Sequence, residues 1–401
     1  MKFLHTSDWH LGRGLRGHDL SVAQQVALEA VIDIAIERDV DAFVIAGDIF
    51  DRAFPAVDDV RRFNRALRRI NDAQIPIIVT SGNHDEGARL AAYTELLKDS
   101  VTVIGEYDQV GHRVDLGDSA GPVVFYPLPY LDPDGARRSL AAADAQMLER
   151  SHEAVMSEAM RRIRLDLAQR QIDQPATRAV VVAHAFVVNG TQTAETLLAE
   201  QSTSERDISV GGVPSVPAGV FDGVHYVALG HLHGPRTVQE HEPMVRYSGS
   251  LLRYSISERN HRKSVTIVDM DGDGRCTVEE IEIPQPARMT RLEGELEELV
   301  SGKFHQHHDD FVDIVLTDKF KAQNEWAQLN AKFTRILAVT HQRPENDASE
   351  SGELSAAMVL MKSPLDLMRS FYLQERNEAL TPSMESILVD VVEQAQGHGK
   401  S

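Results

Sequence analysis

Residues 42–51 read Ala-Phe-Val-Ile-Ala-Gly-Asp-Ile-Phe-Asp, an apolar run of strand length that breaks at Gly47-Asp48 and reaches a second carboxylate at Asp51. The same construction recurs on either side. Residues 2–6 read as a strand running into Asp8-Trp-His10, and residues 76–80 as a strand ending in Ser-Gly-Asn83-His84-Asp85. Between these strands, residues 22–37 and 56–71 carry helical periodicity, and a short helix follows through residue 98. Strand, polar turn and helix in repetition predict an α/β protein with its chemistry outside the carboxyl ends of the strands.

Farther along, the strands come closer together, at residues 101–104, 123–126, 180–183, 226–229, 245–247, 265–269 and 277–283. Residues 136–171, rich in Ala, Arg, Glu and Leu, read as one long helical insert. Two packed sheets with outer helices accommodate this order. Pro284-Gln-Pro286 marks a boundary, so residues 1–283 read as the main domain. Residues 284–343 read as a small α/β domain: a strand or helix over 289–300, a strand over 311–316 and a helix over 326–339. Residues 344–354 form a polar, acidic linker, and residues 355–401 a tail with helical patterns at 364–376 and 383–396. A chain of 401 residues is too long for one compact core.

The single cysteine, Cys276, allows no internal disulfide and suits a reducing cytoplasm. The first residues lack the apolar core of a signal peptide, and no apolar stretch reaches the ~18 residues of a membrane span. A cytoplasmic protein without membrane contact is the expectation. The net charge of −20 speaks only weakly against a nucleic-acid partner, because a local basic stripe or bound metal ions reverse the local field.

Five short motifs carry the chemistry: Asp8-Trp-His10, Gly47-Asp48-Ile-Phe-Asp51, Gly82-Asn83-His84-Asp85, Ala183-His184 and Gly230-His231-Leu-His233. Each follows or ends an apolar strand, so their polar groups converge along one rim. Alone, an Asp-x-His marks a turn. Five such motifs in order, each at a strand end, supply carboxylate and imidazole ligands enough for two ions. Two cations ~3.5–4 Å apart activate water and hold a phosphoryl group.

This ordered set resembles the signature of the calcineurin-like metallophosphoesterases. Three longer matches, His5-Thr-Ser-Asp-Trp-His-Leu-Gly12, Ala228-Leu-Gly-His-Leu-His-Gly-Pro235 and Tyr247-Ser-Gly-Ser-Leu-Leu-Arg-Tyr-Ser255, are similar to the SbcD-type double-strand-break-repair nucleases. The resemblance implies an α/β fold, a four-layer αββα sandwich with a small α/β capping domain and a helical tail. It implies two divalent ions, manganese first, with iron, zinc or magnesium as alternatives. Asp8, His10 and His233 match the ligands of one ion, and Asn83, His184 and His231 those of the other. Asp48 matches the bridging carboxylate, whose two oxygens can serve two cations. His84 matches the histidine that contacts the scissile phosphate and protonates the leaving oxygen. Asp51 stands where many relatives have histidine, and either contacts substrate or orients His84. The implied activity is ATP-dependent 3′-to-5′ exonuclease action on duplex DNA, with endonuclease action on hairpins and single strands, in repair and recombination.

Surfaces follow from the same reading. On a helical wheel of residues 57–71, Arg61, Arg62, Arg65, Arg68 and Arg69 share one face. They form either a solvated face or a phosphate contact, as do Arg13 and Arg16 in the loop after His10. The resemblance implies a homodimer through helices near residues 57–71 and 88–97. It also implies docking of the tail, with Leu367, Phe371 and Leu388 on its apolar faces, onto an SbcC-type ATPase. The chain has no Gly-x-x-x-x-Gly-Lys-Ser/Thr loop, so ATP hydrolysis falls to that partner. Two other readings share these residues: a phosphoesterase acting on a non-DNA substrate, and a non-catalytic adaptor tethering the ATPase to DNA.

Overall fold

The computed structural model describes residues 1–92, 100–141, 147–189, 215–286 and 288–342, together with 365, 368, 369, 372, 380–385 and 387–389. It divides into two compact units, Met1–Thr290 and Arg291–Ser401.

The first unit holds two six-stranded sheets. One runs, edge to edge, Cys276–Glu282, Ser264–Met270, Lys2–Thr6, Ala42–Ala46, Ile77–Thr80 and Val101–Ile104. Its last four strands are parallel. The other runs Arg236–Gln239, Met244–Tyr247, Tyr226–Gly230, Arg178–His184, Gly121–Pro127 and Val114–Asp118, with its middle four parallel. Parallel strands covered on both faces are apolar nearly throughout, and Ala42–Ala46 and Arg178–His184 are buried at every position.

Alternation then sorts the side chains. Phe3, Val44, Ala46 and Ile78 meet Phe125, Val180, Val182, Tyr226 and Ala228 between the sheets. The far face of the second sheet, with Tyr126, Val181, Ala183 and Leu229, packs on Val155, Met156, Ala159 and Ile163 of the His152–Asp173 helix. Across the first sheet, Trp9 joins Phe43 to Phe63 of the Val57–Asp72 helix, with edge-on ring contacts at 6.4 and 6.2 Å. That helix lies beside Ser21–Glu37, tied to it by Arg69 pairing with Glu29 and Asp33. The result is helix, sheet, sheet, helix, the expected four-layer architecture.

Two expected elements differ. The insert over 136–171 is two helices, Pro133–Ser139 and His152–Asp173, the second started afresh by Ser151, whose hydroxyl accepts the Ala154 N–H. Residues 326–339 are not one helix: Glu325–Asn330 is helical, and Arg335–His341 is a strand parallel to Phe311–Leu316. There Leu329, Phe333 and Ile336 close the second unit's core against Val312, Ile314 and Leu316, and tertiary pairing overrides helical propensity. The helix after His84 is described only over Gly87–Leu90. Residues 93–97 of the expected 88–97 dimer helix, the 344–354 linker, Leu367 and Phe371 lie outside the described residues.

Candidate metal centre

All five motifs stand at the same ends of the central parallel strands. Lys2–Thr6 leads to Asp8 and His10, Ala42–Ala46 to Asp48, Ile77–Thr80 to Asn83 and His84, and Tyr226–Gly230 to His231 and His233, while Arg178–His184 ends on a ligand candidate itself. The backbone is bent to aim them. Asp8, His10, Asp48 and His231 have φ of 52°, 44°, 52° and 114°, a region costly for non-glycine residues and found at functional sites. Glycines allow the close approach. A Cβ on Gly82 would lie 2.1 Å from Asp48 Oδ1, and one on Gly230 would lie 1.8 Å from the Ala46 carbonyl oxygen.

Among the described residues, three sets of ligand atoms each lie within 4.8 Å of one another: Asp8 with His10 and His233; Asp8 with Asp48 and His184; and His10 with Asp48 and His84. Asp48 Oδ2 is 3.5 Å from Nε2 of both His10 and His184, between the first two groups. His184 Nδ1–H donates to the Ala46 carbonyl at 2.9 Å, which leaves a lone pair on Nε2. That Nε2 faces Asn83 Oδ1 at 3.0 Å. His10 Nε2 faces His233 Nε2 at 3.1 Å, while His233 Nδ1 is turned to Glu258. His184 Nε2 and, with its Nδ1 turned to Glu258, His233 Nε2 thus present lone pairs to neighbouring ligand atoms, an arrangement that suits a cation.

The electrostatics agree. Burial pushes the His10, His184 and His231 imidazoles below their ordinary range, which favours the neutral form that a metal ion requires. It pushes the Asp8 and Asp48 carboxyls up, a cost that positive ions offset. The donor set fits a pair of divalent cations, and the centre is dinuclear. His231 adjoins it: its N–H donates to both Asp8 oxygens at 3.1 Å, and its ring meets His184 edge-on at 5.5 Å.

The remaining candidates divide. His84 is half-buried; its N–H donates to Asp48 Oδ1, and its Nδ1 bonds the Asp51 main-chain carbonyl at 2.9 Å. Asp51 thus holds His84 through its backbone, while its carboxylate lies 3.5 Å from Arg13 Nη1 and 3.8 Å from His10 Nδ1. Arg13, with its side chain 16% exposed and its guanidinium over the Tyr254 ring, belongs to the wall of the site. Arg16 is exposed. The arginine face of the Val57–Asp72 helix is not uniform. Arg62 is buried against Asp59, because the Asp59 carboxylate lies inside this helix's packing, and Arg69 pairs across to the neighbouring helix. Arg61 and Arg65 are exposed, Arg61 pairing with Asp58.

Three supporting residues have roles that the sequence does not assign, Asp85 within a quoted motif and two outside all five. Asp85 accepts the N–H groups of Ile49, Phe50 and Gly82, locking the Asp48 loop to the Asn83 loop. Glu258 and Lys263 form a fully buried ion pair at 2.7 Å behind His233. Burial alone would raise the Glu258 carboxyl, but the Lys263 ammonium, followed by His233, holds it well below the usual range.

Residues 1–235 match the calcineurin-like phosphoesterase family, and residues 285–376 match the SbcD C-terminal domain, described as the type 5 capsule protein repressor C-terminal domain. Among solved structures, TT1561 of Thermus thermophilus aligns at TM-score 0.39 and 16% identity, over 71% of this chain and 99% of that one. A dimetal phosphatase from Danio rerio aligns at TM-score 0.44 and 11% identity, over 71% and 97%. These likenesses are too distant to add weight to the family matches. With more than half of its residues in the first match and the SbcD-type domain following it, the chain belongs to the calcineurin-like phosphoesterases, as a nuclease subunit of SbcD type.

Proposed function

We propose that the chain cleaves DNA phosphodiesters with two divalent cations, manganese first, acting with an SbcC-type ATPase in cytoplasmic DNA repair and recombination. The observation that carries this reading is the His184 Nε2 lone pair facing Asn83 Oδ1, beside the approach of His10 and His233 Nε2 to 3.1 Å. Asp8, His10 and His233 would hold one ion and Asn83, His184 and His231 the other, with Asp48 shared between them. When bound, such a pair acidifies a water and withdraws charge from the phosphoryl oxygens. His84 does the proton work: as the imidazolium, with Nδ1–H donated to the Asp51 carbonyl, it gives its Nε2 proton to the departing 3′ oxygen and is left as the neutral ring. Arg13 and Asp51 steady this wall, and the exposed Arg16, Arg61 and Arg65 offer charge to flanking phosphates.

Residues 284–343 act as a capping domain that positions DNA. The tail docks on the ATPase. Its described Met368, Met384 and Ile387 are exposed, while Arg369–Glu385 and Tyr372–Met384 contacts join its two segments. Leu388 is half-buried, and Leu367 and Phe371 adjoin Met368 and Tyr372 in sequence. A homodimer through the Val57–Asp72 helix is supported by Phe54 and Val57, exposed at its start. No helix among the described residues is long and apolar enough to cross a membrane.

The test is cleavage of end-labelled linear duplex, hairpin and single-stranded DNA, with bis(p-nitrophenyl) phosphate as a small diester, in Mn²⁺ with and without the ATPase and ATP. The reading expects 3′-to-5′ shortening of the duplex that requires the ATPase and ATP. Hydrolysis of the small diester with no cleavage of any DNA would reject it.

A further inference from the structure

The ring nitrogens behind the candidate ligands are supported in different ways. His184 Nδ1 bonds a neutral backbone carbonyl, that of Ala46. His10 Nδ1 is buried with no hydrogen-bond partner among the described residues, the Asp51 carboxylate standing off at 3.8 Å. His233 Nδ1 alone among these three meets a carboxylate at hydrogen-bond distance, Glu258 Oε1 at 3.2 Å. Glu258 is completely buried, and a buried anion is costly unless it is paired and hydrogen-bonded. It is both. Lys263 Nζ lies 2.7 Å from Oε2, and the Tyr254 N–H and Ser255 hydroxyl also donate to it. Lys263 in turn donates to the His233 carbonyl at 2.7 Å and to Ser250 Oγ at 2.8 Å. The pair therefore grips His233 twice, its ring through Glu258 and its main chain through Lys263.

A carboxylate behind a metal-binding imidazole fixes the tautomer, fixes the ring orientation and raises ligand basicity. We propose that Glu258, charge-balanced by Lys263, is a positioning residue for one ion only, the one held by Asp8, His10 and His233. The ion at His184 is independent of it, because His184 is steadied by Ala46 instead. The two ions then differ in their dependence on protein charge, although both share Asp48.

This inference rests on the two-ion reading of the site. Its test is equilibrium dialysis of the full-length chain against graded Mn²⁺, with bound metal counted per chain. Glu258→Gln is compared with Glu258→Gln/Lys263→Met, and with His233→Ala and His184→Ala as references. The double variant removes both buried charges together, a change that folds tolerate better than breaking the pair. Wild type should bind two ions. Both Glu258 variants should weaken one ion by about 10- to 100-fold. Each should stop at the one-ion state of His233→Ala, with the other ion held as in wild type.

Two ions bound at wild-type affinity in the double variant would overturn the proposal. So would equal weakening of both ions. If neither variant folds, the pair is a folding element and the positioning role falls. Wild type that binds no Mn²⁺ defeats the two-ion reading, and this inference with it. Wild type that binds two ions while the variants do the same defeats the inference alone.

Discussion

Nε2 of His184 faces Oδ1 of Asn83 at 3.0 Å, and because His184 Nδ1–H is committed to Ala46, neither facing atom brings a proton to the contact. In a folded chain without metal this juxtaposition repels; with a cation between, it attracts. Chelation should therefore lower the melting temperature, and Mn²⁺ should restore it. One site at free ion about 100-fold above its dissociation constant adds about 2.7 kcal/mol of stability. A thermal melt that EDTA and Mn²⁺ leave unchanged would speak against ion binding here.

The strand-end placement of this pair could be read in the sequence, and its support could not. Ala42–Ala46 and Arg178–His184 are continuous apolar runs ending in polar ligands, so periodicity and motif spacing coincide. Glu258 sits in a short turn at Ile256–Glu258, outside the five motifs, and only the fold brings it behind His233. Asp51 displays a carboxylate in the sequence, yet it meets His84 through its main-chain carbonyl, which every residue has. Arg62 sits on the polar side of a helical wheel but is buried by its partner Asp59. In the second unit, the strand at Arg335–His341 was hidden because its pairing partner, Phe311–Leu316, is remote in sequence.

His84 should separate chemistry from metal binding. His84→Gln keeps a polar side chain beside the Asp51 carbonyl but cannot donate a proton as an imidazole does. It should retain both ions and lose cleavage by about 10²- to 10⁴-fold. Metal analysis alongside turnover decides the point; loss of an ion in this variant would make His84 a ligand.

Away from the centre, Arg178 ties the two sheets together. It is buried, pairs with Asp118, and donates to the carbonyls of Asp271 and Gly121 at 3.0 and 2.9 Å. The Arg178 hydrogen bonds hold the Asp118 carboxyl well below its usual range. A depressed carboxylate contributes stability above its unfolded value, and that contribution is lost as pH falls toward the folded one. Acid unfolding of wild type should thus include a proton uptake by Asp118 below about pH 4. Asp118→Asn should flatten that limb of the stability profile, measured by urea melts at successive pH. An unaltered acid limb would show that the pair adds nothing beyond solvent screening.

The tail should be separable from the phosphoesterase. Deleting residues 355–401 should leave a metal-loaded enzyme active on the small diester that no longer co-purifies with the ATPase. Phe371→Asp together with Leu388→Asp should do the same, since burying a large apolar side chain is worth about 1.5–3 kcal/mol. Undiminished co-purification of both variants would move the partner surface elsewhere on the chain.

Asp48 tests the central claim most directly, because its Oδ2 lies 3.5 Å from a ring nitrogen in each of the two ligand groups. The measurement is bound Mn²⁺ per chain together with cleavage of duplex DNA by the ATPase complex, for wild type and Asp48→Asn. A dinuclear nuclease predicts two ions and cleavage in wild type, with weakened binding of both ions and no cleavage in the variant. Two ions still bound with normal turnover in Asp48→Asn would contradict it.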